Sequence, residues 1–250
     1  MLEVTQRDRV CLLRVSVPAR FDESAAALAG ALIEACTRIH ECDDPVVGVV
    51  VSSSDAAYCL VPPQSADDCD RVRDHWAAVT DAIAGLRAPT IAAIDGDAVG
   101  PAWELALACD LRIAASEVRV GSPEIHWGRI PAAGGTQRVT RLVGPGVAAR
   151  LLLLGEILTA PDAHALGLLH RVEPRERLGA SLDEVLTGLR DSAPIALAYA
   201  KEAVHSAGDL ALADGLRLEA DLAVLLQTTG DRAEGIGAFL ARRAAHFQGR

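Results

Sequence analysis

The chain has 250 residues, of which 50% are hydrophobic and 23% are charged, and its formal net charge is −10. A chain of this length can bury a full hydrophobic core, so the composition excludes disordered, collagen-like and small disulfide-stapled proteins. The net negative charge argues against a general ligand of nucleic acid or of an anionic membrane, and we expect neither as a partner.

The six cysteines predict free thiols, because no C-x-x-C pair is present and their spacing fits neither a zinc site nor a disulfide framework. The first residues contain no apolar signal-peptide stretch. The longest apolar runs, 46–51 and 151–154, are far shorter than the ~20 residues that a membrane-spanning helix needs. These features predict a cytoplasmic protein.

Residue patterns predict alternating strands and helices along the first three quarters of the chain. We predict strands over 10–17, 46–52, 90–95, 111–115 and 118–121, helices over 22–42, 72–86 and 101–109, and loops over 53–70 and 96–100. Such alternation is typical of an α/β fold with a largely parallel sheet. From residue 194 onward the pattern is helical only, with breaks at Gly208, Gly230 and Gly235. We therefore divide the chain into an α/β core, 1–193, and a helical C-terminal region, 194–250.

Two segments combine a carboxylate with a glycine-rich turn. In residues 89–110 a strand leads into a glycine turn and then a helix, with Glu104 in its first turn. The unpaired N–H groups at such a helix start make a natural site for an anion or oxyanion. In residues 122–138 a second acid, Glu124, follows a strand and precedes the glycine pair Gly134-Gly135, which we expect to allow close packing beside the site.

These two segments resemble the enoyl-CoA hydratase/isomerase family, also called the crotonase superfamily. The resemblance rests on the ordered motifs P-x-I-A-A-I-x-G-x-A-x-G, E-L-A-L-A-C-D, S-P-E-I and G-x-x-P-x-x-G-G-T-Q-R, and it runs from about residue 46 to 247. It implies a spiral of ββα units with a helical C-terminal region that forms trimers, often paired into hexamers. It also implies that Glu104 and Glu124 are an acid–base pair acting on an acyl-CoA thioester, with no cofactor.

The chain departs from the family where two backbone N–H groups usually bind the thioester oxygen. Local matching puts Pro62 and Pro101 on the two donor positions, and proline has no N–H. Three alternatives stay open. The register is shifted so that Val61 or Ala102 donates, a side chain replaces the backbone (Gln64, His75, His126 or Trp103), or the substrate is not a thioester.

The resemblance also predicts the surroundings of the acids. We assign Gly100, Trp103, His126, Trp127 and Gly128 to the substrate pocket, and the bulk of Trp103 suggests a reshaped pocket. The stretch that matches the family's adenine-binding turn carries two acids, Asp22 and Glu23, which are unfavourable beside phosphates. The candidate cations for CoA are Arg20, Lys201, Arg242 and Arg243.

Other reaction classes lack their motifs. The sequence contains no P-loop, no H-E-x-x-H zinc motif and no G-x-S-x-G nucleophile elbow. Three hypotheses result: a hydratase or dehydratase of α,β-unsaturated acyl-CoA or carrier-bound acyl groups, a divergent enzyme acting on a non-thioester, and a non-catalytic accessory subunit. We expect homotrimers or hexamers because the apolar helical faces around residues 210–226 exceed what one small appendage can cover.

Overall fold

A computed structural model describes residues 2–7, 9–16, 23–41, 47–52 and 66–250 of the chain. The strands are β1 (Leu2–Arg7), β2 (Val10–Val15), β3 (Val47–Ser52), β4 (Thr90–Ile94), β5 (Ala98–Val99), β6 (Leu111–Ala115), β7 (Arg119–Gly121), β8 (Ile157–Thr159) and β9 (Arg171–Glu173). The helices are α1 (Glu23–His40), α2 (Ala66–Ala84), α3 (Pro101–Ala108), α4 (Gly135–Leu154), α5 (Ala160–Ala165), α6 (Arg175–Arg190), α7 (Pro194–Ser206), α8 (Leu212–Leu226) and α9 (Gly230–Ala241). A short 3-10 helix spans Glu124–Trp127.

The main sheet has six strands in the order β1-β2-β3-β4-β6-β9. Only β1 is antiparallel to its neighbour; the other four pairings are parallel. Parallel neighbours need crossover connections, which α1, α2, α3 and the segment between β6 and β9 supply here. The predicted α/β class with largely parallel pairing is confirmed.

A second, three-stranded sheet holds the two motif segments side by side. In it β5 is parallel to β7, with Ala98 opposite Val120 and Val99 opposite Gly121. The third strand, β8, is antiparallel to β7. Since α3 follows β5 and the 3-10 helix follows β7, the segments after both strands emerge at the same edge of this sheet.

The predicted boundaries need several corrections. Strands β1, β8 and β9 were missed, the short strand β5 lies inside the predicted loop 96–100, and α2 begins at Ala66 rather than at 72. The acidic stretch at 67–70, which resembles a loop in composition, suits the first turn of a helix because the helix dipole favours negative charge there. Gly235 does not break a helix but lies inside α9, where a β-carbon would be 3.4 Å from the ring of Phe247.

The hydrophobic core is formed by the strands of the main sheet and the helices packed against them. In contrast, the C-terminal helices leave much apolar surface uncovered. Leu13, Ile91 and Ile113 are at most 1% exposed. In contrast, Leu212 is 80% exposed and Phe239 is 82% exposed. Within the described ranges, no helix combines the length and hydrophobicity needed to cross a bilayer.

Candidate active site

The pairing of β5 with β7 brings Glu104 and Glu124 into one region. Each acid follows the C-terminal end of one of these two parallel strands, Glu104 in the first turn of α3 and Glu124 at the start of the 3-10 helix. Glu104 is 2% exposed and Glu124 is 8% exposed. The charge of Glu104 is close enough to raise the pKa of Glu124. The structure therefore brings together the two acids that the sequence singled out.

The start of α4 fixes the orientation of the Glu104 carboxylate. Its Oε1 accepts hydrogen bonds from the N–H groups of Ala133, at 2.7 Å, and of Gly135, at 2.9 Å. Burial raises the pKa of Glu104, although these N–H groups and the nearby Arg138 guanidinium act in the opposite direction. The carboxylate thus has a fixed position, and the N–H groups of the helix start offset only part of the burial that disfavours its charged form.

The glycine pair is what lets this backbone come so close. Gly134 has φ +92°, the left-handed region that favours glycine. A β-carbon at Gly135 would lie 2.9 Å from Oε1 of Glu104. The expectation that these glycines permit close packing beside the site is confirmed.

Two side chains that sequence reasoning missed, the buried Thr80 and the half-buried Arg138, hold the same loop. The Thr80 hydroxyl donates to the Ala133 carbonyl at 2.9 Å, and the Arg138 guanidinium donates to that carbonyl at 2.7 Å. Thr80 comes from α2, more than fifty residues away in the chain. The only sequence signal for the role of Arg138 is its place in the G-G-T-Q-R motif. No sequence signal indicates the role of Thr80.

Glu124 has a different environment from Glu104. Among the described residues, neither of its carboxylate oxygens has a hydrogen-bond partner in another residue. Burial, together with the charge of Glu104, raises its pKa from the ordinary 4.5 to about 7, with its own N–H and Arg129 acting weakly the other way. At neutral pH this carboxyl group therefore exists in both its protonated and its ionised form.

The other predicted pocket residues fall into two groups. Trp103 is 2% exposed and lies directly beside Glu104 in α3. His126 and Trp127 are exposed on the 3-10 helix, and the His126 ring lies against Gly155. Gly128 has φ +68° and ends that helix. The two exposed side chains and the helix-ending glycine thus border Glu124 rather than line a buried cavity.

Proline at position 101 begins α3 and supplies no N–H. The N–H of the preceding Gly100, which has φ +64°, donates to the Gly121 carbonyl at 2.9 Å. The next N–H groups belong to Ala102 and Trp103, and the first N–H groups of a helix have no acceptor inside the helix. Pro62, the other predicted donor position, lies outside the described residues.

Two of the four candidate CoA cations have partners within the chain. Lys201 Nζ is 2.8 Å from Asp110 Oδ2 and donates to the Ala88 carbonyl. Arg243 forms a paired contact with Glu234. Arg242 ends α9 in an exposed position, and Arg20 lies outside the described residues. A role for any of them in CoA binding stays a prediction.

The part of the chain that the structure describes offers no group of three or more side chains suited to hold a metal ion. The two buried carboxyl groups, Glu104 and Glu124, are of the type that transfers protons in general acid–base catalysis.

Comparison with known proteins gives consistent results. The sequence model described as enoyl-CoA hydratase/isomerase matches residues 23–250. The chain is 36% identical over 256 residues to a probable enoyl-CoA hydratase of Rhizobium meliloti, an alignment that covers 100% of this chain and 98% of the relative. It is 35% identical over 215 residues to the mitochondrial enoyl-CoA hydratase of Pongo abelii, which covers 82% of this chain and 73% of the relative.

Solved structures give the same result for the fold. The crystal structure of an enoyl-CoA hydratase from Bacillus anthracis superimposes with a TM-score of 0.90 at 29% identity, covering 100% of this chain and 99% of the other. An enoyl-CoA hydratase from Geobacillus kaustophilus gives a TM-score of 0.90 at 27% identity, covering 100% and 97%.

Proposed function

Since the chain belongs to the enoyl-CoA hydratase/isomerase family, we propose that it adds water across the double bond of an α,β-unsaturated acyl-CoA, or removes it in reverse. Relatives of this chain carry the names enoyl-CoA hydratase and crotonyl-CoA hydratase, which supports a thioester substrate. The reaction needs no cofactor because it only transfers protons and a hydroxide.

One observation carries the proposal: two buried carboxyl groups follow adjacent parallel strands and have unlike environments. Glu104 is held by two backbone N–H groups, whereas Glu124 has no partner among the described residues and a pKa of about 7. Paired acids whose environments differ are what general acid–base catalysis requires.

We assign Glu104 as the base and Glu124 as the proton donor. In hydration, ionised Glu104 takes a proton from water as the water oxygen bonds to the β-carbon. Glu124, in its protonated form, delivers a proton to the α-carbon as the double bond opens. One water molecule is added, with the hydroxyl group and the new α-proton on the same side of the substrate. Glu104 ends protonated and Glu124 ionised, so a proton passes from Glu104 to Glu124 before the next turnover.

Glutamine variants test this assignment. Loss of enoyl-thioester absorbance would be followed for the wild-type chain, Glu104→Gln and Glu124→Gln, with Glu117→Gln as an exposed control. Each active-site variant should lose at least ~100-fold in kcat, within the range of general acid–base catalysis, and the control should keep its rate. Wild-type activity in both active-site variants would refute the acid–base pair, whereas no activity in the wild-type chain would leave the accessory-subunit hypothesis.

A second candidate is a reaction on a non-thioester substrate by the same two acids. The observation that favours it is Pro101, which removes an N–H at the helix start where an enolate oxygen would be bound. One lost oxyanion donor costs about 3 kcal/mol of transition-state stabilisation. Calorimetry with a saturated acyl-CoA separates the two candidates, because a non-thioester enzyme should bind no CoA ester.

We also propose that the 194–250 region joins copies of the chain into a trimer or a pair of trimers. The support is its apolar surface, since Leu212, Phe239 and Leu240 are each at least 75% exposed. Isolated domains rarely leave such a surface uncovered. Sedimentation at micromolar concentration should give a trimeric or hexameric mass, and a monomeric mass would contradict this proposal.

We further propose a cytoplasmic location. The support is that Cys36 and Cys109 are buried free thiols, as is usual for a reducing compartment. Cell fractionation should recover the protein with cytoplasmic markers.

A further inference from the structure

A small cavity lies between the segments that carry the two acids, and it is lined by residues close to each acid in the chain. Trp103, which precedes Glu104 in α3, and Ser122, two residues before Glu124, both line it. Its other walls are mostly apolar and come largely from α4, β8 and the segment before β9. It leaves about 10 Å³ for the centre of a water molecule, which is room for one small group.

The Ser122 hydroxyl in this cavity needs a hydrogen-bond partner. Ser122 is 5% exposed, and its oxygen has no partner among the described residues. A buried hydroxyl without a partner is destabilising, so native proteins rarely keep one without water or a ligand. The other polar side chain at the cavity, Glu156, already pairs with Arg150 at 3.1 Å. Ser122 is therefore the hydrogen-bonding group that remains for a ligand.

Trp103 limits the size of that ligand. Its side chain is 2% exposed and forms one wall of the cavity. Only a water-sized space remains behind it, so a long hydrocarbon chain does not fit without displacing the indole. The cavity thus combines a strict size limit with one hydrogen-bonding group.

We propose that this cavity is the closed end of the acyl site and selects a short enoyl-CoA whose chain ends in a small hydrogen-bonding group, such as a hydroxyl. Ser122 binds that group, and Trp103 excludes longer chains. This inference rests on the proposed function, because it takes the substrate to be an acyl-CoA.

Binding of unreactive saturated esters tests the inference independently of turnover. Calorimetry would compare 4-hydroxybutyryl-CoA, butyryl-CoA and decanoyl-CoA. The wild-type chain should prefer the hydroxylated ester to butyryl-CoA by about fivefold or more, and Ser122→Ala should abolish that preference. Ser181→Ala, at another buried serine, is the matched control and should keep it.

Trp103→Leu should raise the affinity for decanoyl-CoA relative to butyryl-CoA by about tenfold or more. Trp76→Leu, at a second buried tryptophan away from the cavity, should leave that ratio unchanged. If Trp103→Leu does not fold, Val139→Ala opens the cavity from α4 and should shift the ratio in the same direction.

The inference is wrong if the wild-type chain shows no preference for the hydroxylated ester, or if Ser122→Ala keeps that preference. It is also wrong if the wild-type chain binds decanoyl-CoA as tightly as butyryl-CoA. A structural water that stays bound to Ser122 in every complex would leave the wild-type chain without a hydroxyl preference. Failure of the proposed function looks different, since selective binding would then occur without hydration of the matching enoyl-CoA.

Discussion

Gly135 approaches Glu104 so closely that a β-carbon at Gly135 would lie 2.9 Å from the carboxylate oxygen Oε1. The Gly135 N–H donates to that same oxygen. Because Gly135 has no side chain, the backbone of its motif can approach and hold the Glu104 carboxylate of the other motif. This contact joins two segments that are thirty-one residues apart.

Gly135→Ala should disable the acid without unfolding the chain. The added methyl group also meets the Pro131 side chain at 2.9 Å, so the carboxylate or the helix start must move. We expect kcat to fall by about 100-fold, since small displacements of a catalytic group have effects of this size. Gly179→Ala, in a helix with open space around the site of the new methyl, should keep full activity and gain about 0.5–1 kcal/mol of stability. Equal activity of both variants would show that the Gly135 contact does not position Glu104.

Glu124 should make the fold less stable as the pH rises. Its pKa is raised from 4.5 to about 7, chiefly by burial, so its contribution is fully present below pH 4.5 and is lost as pH rises through 7. Glu124→Gln cannot ionise, so it avoids this loss of folding stability. At pH 8 its free energy of unfolding should exceed that of the wild-type chain by on the order of 3 kcal/mol. The difference should disappear near pH 4.5.

Chemical denaturation across this pH range measures the effect. Glu117→Gln is the contrasting control, because hydrogen bonding by Arg175 lowers the pKa of exposed Glu117 and its contribution has the opposite sign. A stability difference for Glu124→Gln that does not change with pH would contradict the raised pKa.

Pro101→Ala should increase activity on an enoyl-CoA. The substitution restores an N–H at the start of α3, where helix geometry directs it outward. If a thioester oxygen is bound there, we expect kcat to rise by about tenfold or more, below the full value of one oxyanion donor. Pro194→Ala, at the start of α7, is the matched control for losing a helix-initial proline. No gain in Pro101→Ala would show that the carbonyl oxygen is bound elsewhere.

Lys201 should be a stabilising residue, because its side chain is 9% exposed and its ammonium group pairs with Asp110. Removing one partner leaves a largely buried carboxylate with less compensation, so Lys201→Ala should destabilise the chain by about 3 kcal/mol. Arg217→Ala, which breaks an exposed pair with Asp214, should cost less than about 0.5 kcal/mol. Thermal unfolding of both variants makes the comparison, and equal stability would show that this pair does not anchor α7.

Local patterns were enough to predict the fold class. The β-branched run at 46–52 predicts the strand β3, and the strand–turn–helix pattern at 89–110 predicts β4 and α3. These predictions do not depend on knowing which residues the elements pack against. The family resemblance added the order of the motifs, and the predicted crotonase-like fold is confirmed. The predicted start of α2 was wrong, because the composition of the acidic stretch before residue 72 favours a loop whereas the helix dipole favours a helix start there.

By itself the sequence determined which two acids stand out, since each acid, the turn before it and the glycines beyond are contiguous in the chain. Only the tertiary structure decided how they differ. Burial and hydrogen bonding depend on residues far away in the sequence, such as Ala133 and Gly135 at Glu104, and Thr80 behind them. The same holds for Lys201, a candidate phosphate ligand by its charge that the fold pairs with Asp110. Charge is a property of one residue, whereas its partner is set by packing.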